Sequence, residues 1–583
     1  MVRQVRLARC RGRPRPYALL ALALTACALA AACSADPPAT PPRPQLRVAH
    51  DPLANAVYTA FASPPGAVLT QRGDVTRLGW DSTETRLTVT SVNGKQFGKR
   101  AAYPVDGKVY AQPLFVPGLT INGGRHDVVV VATQHDSVYA FDAAAAGPRL
   151  PAPLWHVSML RPGARPLLAA SDRIAANRLC DSITPEVGIS STPVIDWSTK
   201  SVYLVALSVE NGTATYRIHR LDLLSGKEIG PSTVLAASVP GNGIDAVDGQ
   251  VAFRASDEQQ RPGLTLVNGV VYAAFASWCG LNPYHGWVLG YRTADLARVT
   301  VYNTTPDAND GGLWESESGL SVDAHGHLLL VTGNGPFTLN SGGTEAGDSV
   351  LEMTPQDGTL KIADSFTPFD QECRYRHDQD LGSGSPLMVP GHHELILSSK
   401  TGAVYVLDLA NLGGYTPLAN ACRQEARTDV DHIKQELTVY SVPGGMWGTW
   451  GYWKSTAGEF IYGSGSTGRP TEWRLNADGT IATPPIAQGP EEFTYPGAIP
   501  VVSSNGSTPG TGVVWTVDDT DGAVLRAFDA ANIGHEIWNT AGDPARDGLD
   551  DTNGFNHFDV PTVANGMVFV GDQSHLQIYG LLG

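Results

Sequence analysis

From residue 107 to the C-terminus, apolar and polar positions alternate in short runs broken by Gly, Ser, Pro and Asn. Period two places successive side chains on opposite faces of a strand, so each run predicts a strand buried on one side or both. The runs recur as a unit, about eight times: a Gly/Ser/Pro-rich inner segment, an apolar strand, then a strand ending in aromatic-x-aliphatic-Asp. Clear copies pair Gly107–Leu114 with Ser137-Val-Tyr-Ala-Phe-Asp142, and Gly382-Ser-Gly-Ser-Pro386 with Ala403-Val-Tyr-Val-Leu-Asp408. Repeats of this length built from short strands predict an all-β fold, a single eight-bladed β-propeller of four-stranded antiparallel blades. The units are expected near 107–156, 187–238, 262–302, 316–367, 382–420, 445–487, 497–539 and 556–583. The last has only three strands, and residues 84–106 are expected to supply the fourth and close the ring, which removes exposed sheet edges. Within that stretch Arg86–Val92 alternates like a strand.

Composition agrees with this reading and adds an address. Gly and Pro make 104 of the 583 residues, enough for many tight turns. Residues 1–26 read as a lipoprotein signal peptide: six arginines precede the apolar run Tyr17–Ala26, and Leu24-Thr25-Ala26-Cys27 resembles a lipobox. Cys27 is the expected lipidation site, with Cys33 as the alternative. Residues 27–50 form a Pro-rich tether, and 51–583 the propeller. Removing the signal takes the net charge from −16 to about −22, a surface that repels phosphate backbones and excludes nucleic-acid partners. The expected location is extracytoplasmic, on the cell envelope through a lipid anchor or secreted, and the protein is expected to be a monomer. In an exported chain Cys180, Cys279, Cys373 and Cys422 read as two disulfides. Three connectivities are possible; the expected one pairs Cys180 with Cys279 and Cys373 with Cys422. Insertions at 157–186, 239–261 and 421–444 extend the rim, where function concentrates on loops.

The loop leading into each innermost strand of a propeller faces the central funnel. That rule nominates Gln112, Glu186, Glu315, Asp380, Trp447 and Asp559, with Tyr284 and His285 from a neighbouring loop. Converging carboxylates would hold a cation, with Glu186, Glu315 and Asp380 as candidate metal ligands. The plainer alternative is that these side chains bind turn amides and lock blade to blade. Trp447, Trp450 and Trp453 recur at period three, so they cannot share one face of a strand, and one is expected at the funnel or on a loop. Gly463-Ser-Gly-Ser-Thr-Gly468 matches a dinucleotide pattern but leads into a hairpin rather than a helix, which rules out a phosphate cradle. His325 and His327 flank Gly326 in a predicted hairpin and are expected at the surface.

Residues 97–142, Thr184–Asp196, Tyr284–Gly290, Asp380–Pro386 and Val560–Gly566 carry text that resembles bacterial proteins with PQQ-like β-propeller repeats. Such proteins are similar to eight-bladed quinoprotein alcohol dehydrogenases and to a lipid-anchored propeller that assists outer-membrane assembly. The resemblance implies pyrroloquinoline quinone (PQQ) and Ca²⁺ as possible cofactors; Glu186, Glu315 and Asp380 are candidates for places around the ion and Trp447 for the floor below the quinone, but no local motif fixes any of them. The chain departs from the dehydrogenases in having no adjacent Cys-Cys pair and no recognisable clamp for the quinone acids. The expected function is therefore binding or scaffolding, toward a protein or glycan of the envelope or a small ligand in the funnel. The alternative is a PQQ- and calcium-dependent dehydrogenase of alcohols or sugars with Asp380 as general base. A third class is a metal-assisted hydrolase or lyase in the funnel.

Overall fold

The computed structural model describes residues 63–147, 149–169, 171–172, 183–518, 522–550 and 556–582. The signal, the tether, Cys27, Cys33 and Cys180 lie outside the described residues.

The expected alternation appears as antiparallel meanders. The first sheet takes Leu114–Ile121, Gly124–Ala132, Ser137–Asp142 and Trp155–Ser158 in sequence order. Four-stranded sheets of the same order run from Leu387–Met388 to Gln435–Leu437 and from Gly451–Ser455 to Ala487–Gln488. Other meanders are extended. Val501–Ser503 to Glu536–Asn539 gains the short strand Trp80–Asp81, and Ser201–Glu210 with Thr213–Asp222 gains short rim strands. Two further runs, Thr265–Asn303 and Ser321–Thr367, join into one ten-stranded sheet through a parallel bridge between Val301 and Thr359.

Tight packing between neighbouring sheets explains why the strands are apolar on both faces. One core cluster joins Phe115 and Val129 to Phe569 and Ile578 from the last sheet; another joins Trp450 and Ile461 to Val404 and Ile396. The last three strands, Thr562–Ala564, Met567–Gly571 and His575–Leu581, are completed by Phe97–Pro104, which pairs antiparallel with His575–Leu581. The two ends of the fold are thus zipped together as expected, and Phe97 fixes the closure by packing edge-on to Trp538 at 4.8 Å.

Two local expectations fail. Arg86–Val92 is a turn: the Ser91 Oγ accepts the Thr88 N–H at 2.8 Å, and the Val92 N–H bonds the Thr88 carbonyl at 3.0 Å. Hydroxyls that satisfy nearby backbone compete with strand pairing, and here they win. In the fifth unit the outer strand is Gln435–Leu437, not a segment before residue 420. Part of the expected insertion therefore belongs to the sheet. Its start is clamped by the Cys373–Cys422 disulfide, one of the two expected pairs. Cys279 is also disulfide-bonded.

Candidate functional site: an axial channel filled by the chain

Residues 66–86 do something that the alternation pattern does not reveal. They run around the inside of the ring, touching one inner strand after another. Val68 exchanges two backbone hydrogen bonds with Phe115, at 2.8 and 2.9 Å. The Leu69, Val75, Leu78 and Gly79 carbonyls then accept from Ile195, Val322, Tyr452 and Val502. Trp80–Asp81 pairs in parallel with Val502–Ser503, and the Glu84 carboxylate accepts from the Gly566 N–H at 2.6 Å.

Two arginines act as spokes of this inner ring, and both are wholly buried. Arg72 donates to the carbonyls of Trp450 at 2.6 Å, Pro500 at 2.9 Å and Arg77 at 3.0 Å. Burial lowers its pKa to about 9, with neighbouring Arg77 adding to the effect, so the guanidinium remains charged at neutral pH. Arg77 donates to the Gln71 carbonyl at 2.8 Å, the Thr265 hydroxyl at 2.7 Å and the Leu320 carbonyl at 3.1 Å. Each arginine sits at φ 61°, a left-handed conformation that costs a non-glycine residue about 1–3 kcal/mol and persists only when its surroundings demand it. Gly79 is required for this arrangement: a Cβ there would stand 2.4 Å from the Arg72 guanidinium.

Of the nominated residues, Gln112 bonds this plug directly, and the others are engaged by other neighbours in the chain. The Gln112 amide oxygen accepts the Arg72 N–H at 2.7 Å, and its amide nitrogen donates to Pro561 at 3.3 Å. Glu315 is fully buried. One of its oxygens accepts from the Val331 N–H at 3.3 Å, and the other has no partner among the described residues. Burial raises its pKa to about 8 against the pull of that bond and of Arg77, so it is mostly a neutral acid at pH 7. Asp380 lies 2.5 Å from the Lys400 ammonium and accepts the Asn334 N–H at 2.6 Å. Burial works against the Lys400 charge, yet Asp380 holds its pKa up at about 12. Glu186 meets His135 at 2.9 Å. Tyr284 is buried, and burial with nearby Asp310 and Asp380 lifts its pKa well above the ordinary value. His285 is fully buried between Asp245, 2.9 Å from Nε2, and the Thr305 carbonyl, 3.0 Å from Nδ1.

Trp447 and Asp559 do come together. With Ile499, Val517 and Phe558 they line a recess too tight to admit a water molecule. Trp447 also meets Tyr495 edge-on at 5.4 Å, whereas Trp450 and Trp453 are buried in the cores between sheets. The three tryptophans thus divide as their spacing requires. Gly458–Gly463 and Thr471–Leu475 form an antiparallel pair around the glycine-rich motif, which is a hairpin turn as expected.

Sequence reasoning missed Arg72, Arg77, Lys400 and Asp136. Asp136 is fully buried with both carboxylate oxygens unpartnered among the described residues, and burial with Glu186 and Asp106 nearby raises its pKa well above the ordinary value. A clue was present in Gln71–Trp80, where two arginines and two glycines interrupt an otherwise unpatterned lead-in, but nothing in the text places them on the axis.

No protein-family model matches this sequence, and no curated protein matches it. Solved structures match in shape. A quinohemoprotein alcohol dehydrogenase from Pseudomonas putida superposes with TM-score 0.53 at 14% identity, over 89% of this chain and 80% of its own. One from Comamonas testosteroni gives 0.54 at 13%, over 89% and 81%. A europium-containing methanol dehydrogenase gives 0.50 at 14%, over 89% and 98%. Together with the closed ring of meanders, these superpositions show the β-propeller fold. Likeness at such identities carries the fold alone, which is the fold of the quinoprotein alcohol and methanol dehydrogenases.

The residues expected to hold PQQ and Ca²⁺ do not fit them. Glu186, Glu315 and Asp380 form no group of converging ligand atoms, and each has its own intramolecular environment. The space beside Trp447 is far below the few hundred Å³ that a ring-sized ligand needs.

Proposed function

We propose that this protein is a binding or scaffolding propeller whose work is done by its rim, not by chemistry in its funnel. The observation that carries this reading is the occupation of the axial channel by residues 66–86, with Arg72 and Arg77 bonded to the carbonyls that line it. A side chain already neutralised by a neighbour, as Asp380 is by Lys400, is a poor general base. The reading of eight blades follows from taking the ten-stranded sheet as two meanders joined at their outer strands.

The rim offers a rigid presenting loop. In the 239–261 insertion, Ile244 and Val247 are 70% and 67% exposed. The loop backbone beneath them is pinned: the Gly243 and Ile244 N–H groups bond the Pro306 and Ala308 carbonyls at 3.0 and 3.2 Å. Fixed exposed apolar side chains favour a protein partner over a glycan. Two disulfide-bonded cysteines, Cys373 with Cys422, and a third in Cys279, support a site of action outside the cytoplasm. The acidic net charge argues against nucleic acid. The N-terminal lipid anchor and the monomeric state belong to the same proposal.

Calorimetric titration of PQQ into the full-length protein, with and without Ca²⁺, tests the reading. The expected result is no heat in either buffer and no dye-coupled alcohol oxidation. Calcium-dependent binding at micromolar concentration would overturn it. A photo-crosslinker at position 244 is expected to trap a discrete protein adduct in cells that Val247→Asp abolishes.

A further inference from the structure

In each meander, the loops that lead into the inner strand and the turns between its second and third strands share the funnel face. The turn between the first and second strands lies at the opposite edge. At that edge, between Ser321–Val322 and Leu328–Val331, the chain reads Asp323-Ala-His-Gly-His327. Asp323 Oδ1 accepts the N–H groups of His325 at 2.8 Å and His327 at 2.7 Å. That grip turns Oδ2 toward the His327 ring, 3.3 Å from Nδ1. Glu352 arrives from the strand Val350–Gln356, whose register against Thr359–Thr367 slips between Glu352 and Met353. Such bulges re-aim side chains. Here Glu352 Oε1 stands 2.5 Å from the same Nδ1.

Two carboxylates thus converge on one nitrogen. The pairs His126–Asp142, His135–Glu186 and His219–Glu228 are one-to-one, at 2.7, 2.9 and 2.8 Å. A proton on Nδ1 of His327 can point at only one of its two acceptors. A cation in its place serves all three atoms.

We propose that Asp323, His327 and Glu352 form a binding site for one divalent transition-metal ion of the zinc type. One imidazole nitrogen and two carboxylate oxygens suit zinc, and two negative charges match its own. Zinc bonds of about 2.1 Å in a tetrahedron set donor atoms about 3.4 Å apart. The His327–Asp323 separation of 3.3 Å already meets this. Glu352 has to withdraw by about 1 Å, and its side chain is 13% exposed. Exposed His325, its ring centre 5.8 Å from that of His327, offers a second nitrogen, and water completes the sphere otherwise. The other cluster of this kind among the described residues, Asp550, Asp572 and His575, is looser, at 3.8 and 3.9 Å. The ion would pin the hairpin turn to the third strand of its sheet, and the site does not depend on the function proposed for the rim.

The test is calorimetric titration of zinc chloride into chelator-treated full-length protein, with Glu352→Gln and His327→Gln in parallel. One equivalent is expected at micromolar affinity or tighter, weakened at least tenfold in each variant. If His327→Gln fails to fold, Glu352→Gln decides, with its melting temperature in chelator as the folding control. X-ray absorption of the zinc-loaded protein should show an all nitrogen and oxygen shell with at least one imidazole. The proposal is overturned by millimolar or absent binding, by affinity that Glu352→Gln leaves unchanged, or by sulfur ligation.

Discussion

Glu315 makes a quantitative test of how the funnel acids are held. Its pKa is raised from 4.5 to about 8 by burial, opposed by the Val331 N–H and by Arg77. A carboxyl that binds its proton more tightly in the folded state contributes stability that is complete below pH 4.5 and is lost as pH rises through 8. Integrated from pH 5 to pH 9, the two values imply a loss of about 4 kcal/mol. Glu315→Gln removes the titration while its amide oxygen can still accept from Val331, now 3.3 Å away. The variant is expected to match wild type within about 1 kcal/mol at pH 5 and to exceed it by roughly 3–4 kcal/mol at pH 9. Urea unfolding followed by tryptophan fluorescence at several pH values measures the difference, and other titrating groups cancel between the two proteins. Parallel stability curves for variant and wild type would refute the reasoning. So would a variant less stable at pH 9, the result expected if Glu315 were an ionised metal ligand.

Arg72→Met should cost about 3 kcal/mol or more, because it strands the buried carbonyls of Trp450 and Pro500; chemical denaturation reads this, and a loss under 1 kcal/mol would mean that water replaces the guanidinium. Gly384→Ala should be as damaging or worse, since its Cβ would stand 1.9 Å from the Gly448 carbonyl oxygen, backbone against backbone; soluble yield and melting temperature report it. Opening the Cys373–Cys422 bridge, which spans 49 residues, with Cys373→Ser and Cys422→Ser should cost about 4 kcal/mol by loop entropy. Proteolysis of that variant should then begin within 421–444, and unchanged cleavage would argue that the insertion is held by the Gln435–Leu437 strand alone.

Strand alternation and turn residues made the propeller legible because both are local. Apolar runs such as Val128–Ala132 and Met567–Gly571 state their own conformation and burial, and the three-stranded last unit announces a missing partner. Phe97–Pro104 then closes the ring as expected. The Cys373–Cys422 bridge is one of the expected pairs, although three connectivities were open, because cysteine positions alone do not choose among them. Where hydroxyls could satisfy their own backbone, as at Thr88 and Ser91, the same alternation misled.

The candidate sites depended on contacts between residues from 25 to more than 400 positions apart, which no local pattern encodes. Nothing about Arg72 in the chain links it to Pro500, nor Arg77 to Leu320, nor Glu352 to the turn at Asp323–His327. The funnel rule nominated Trp447 and Asp559, and the two line one recess. It could not say that the axis was already taken. Strand pattern determined the class of fold, because period and turn chemistry are properties of a few consecutive residues. The tertiary structure decided what fills the channel and which acids keep their charge, because burial and charge pairing belong to the whole ring.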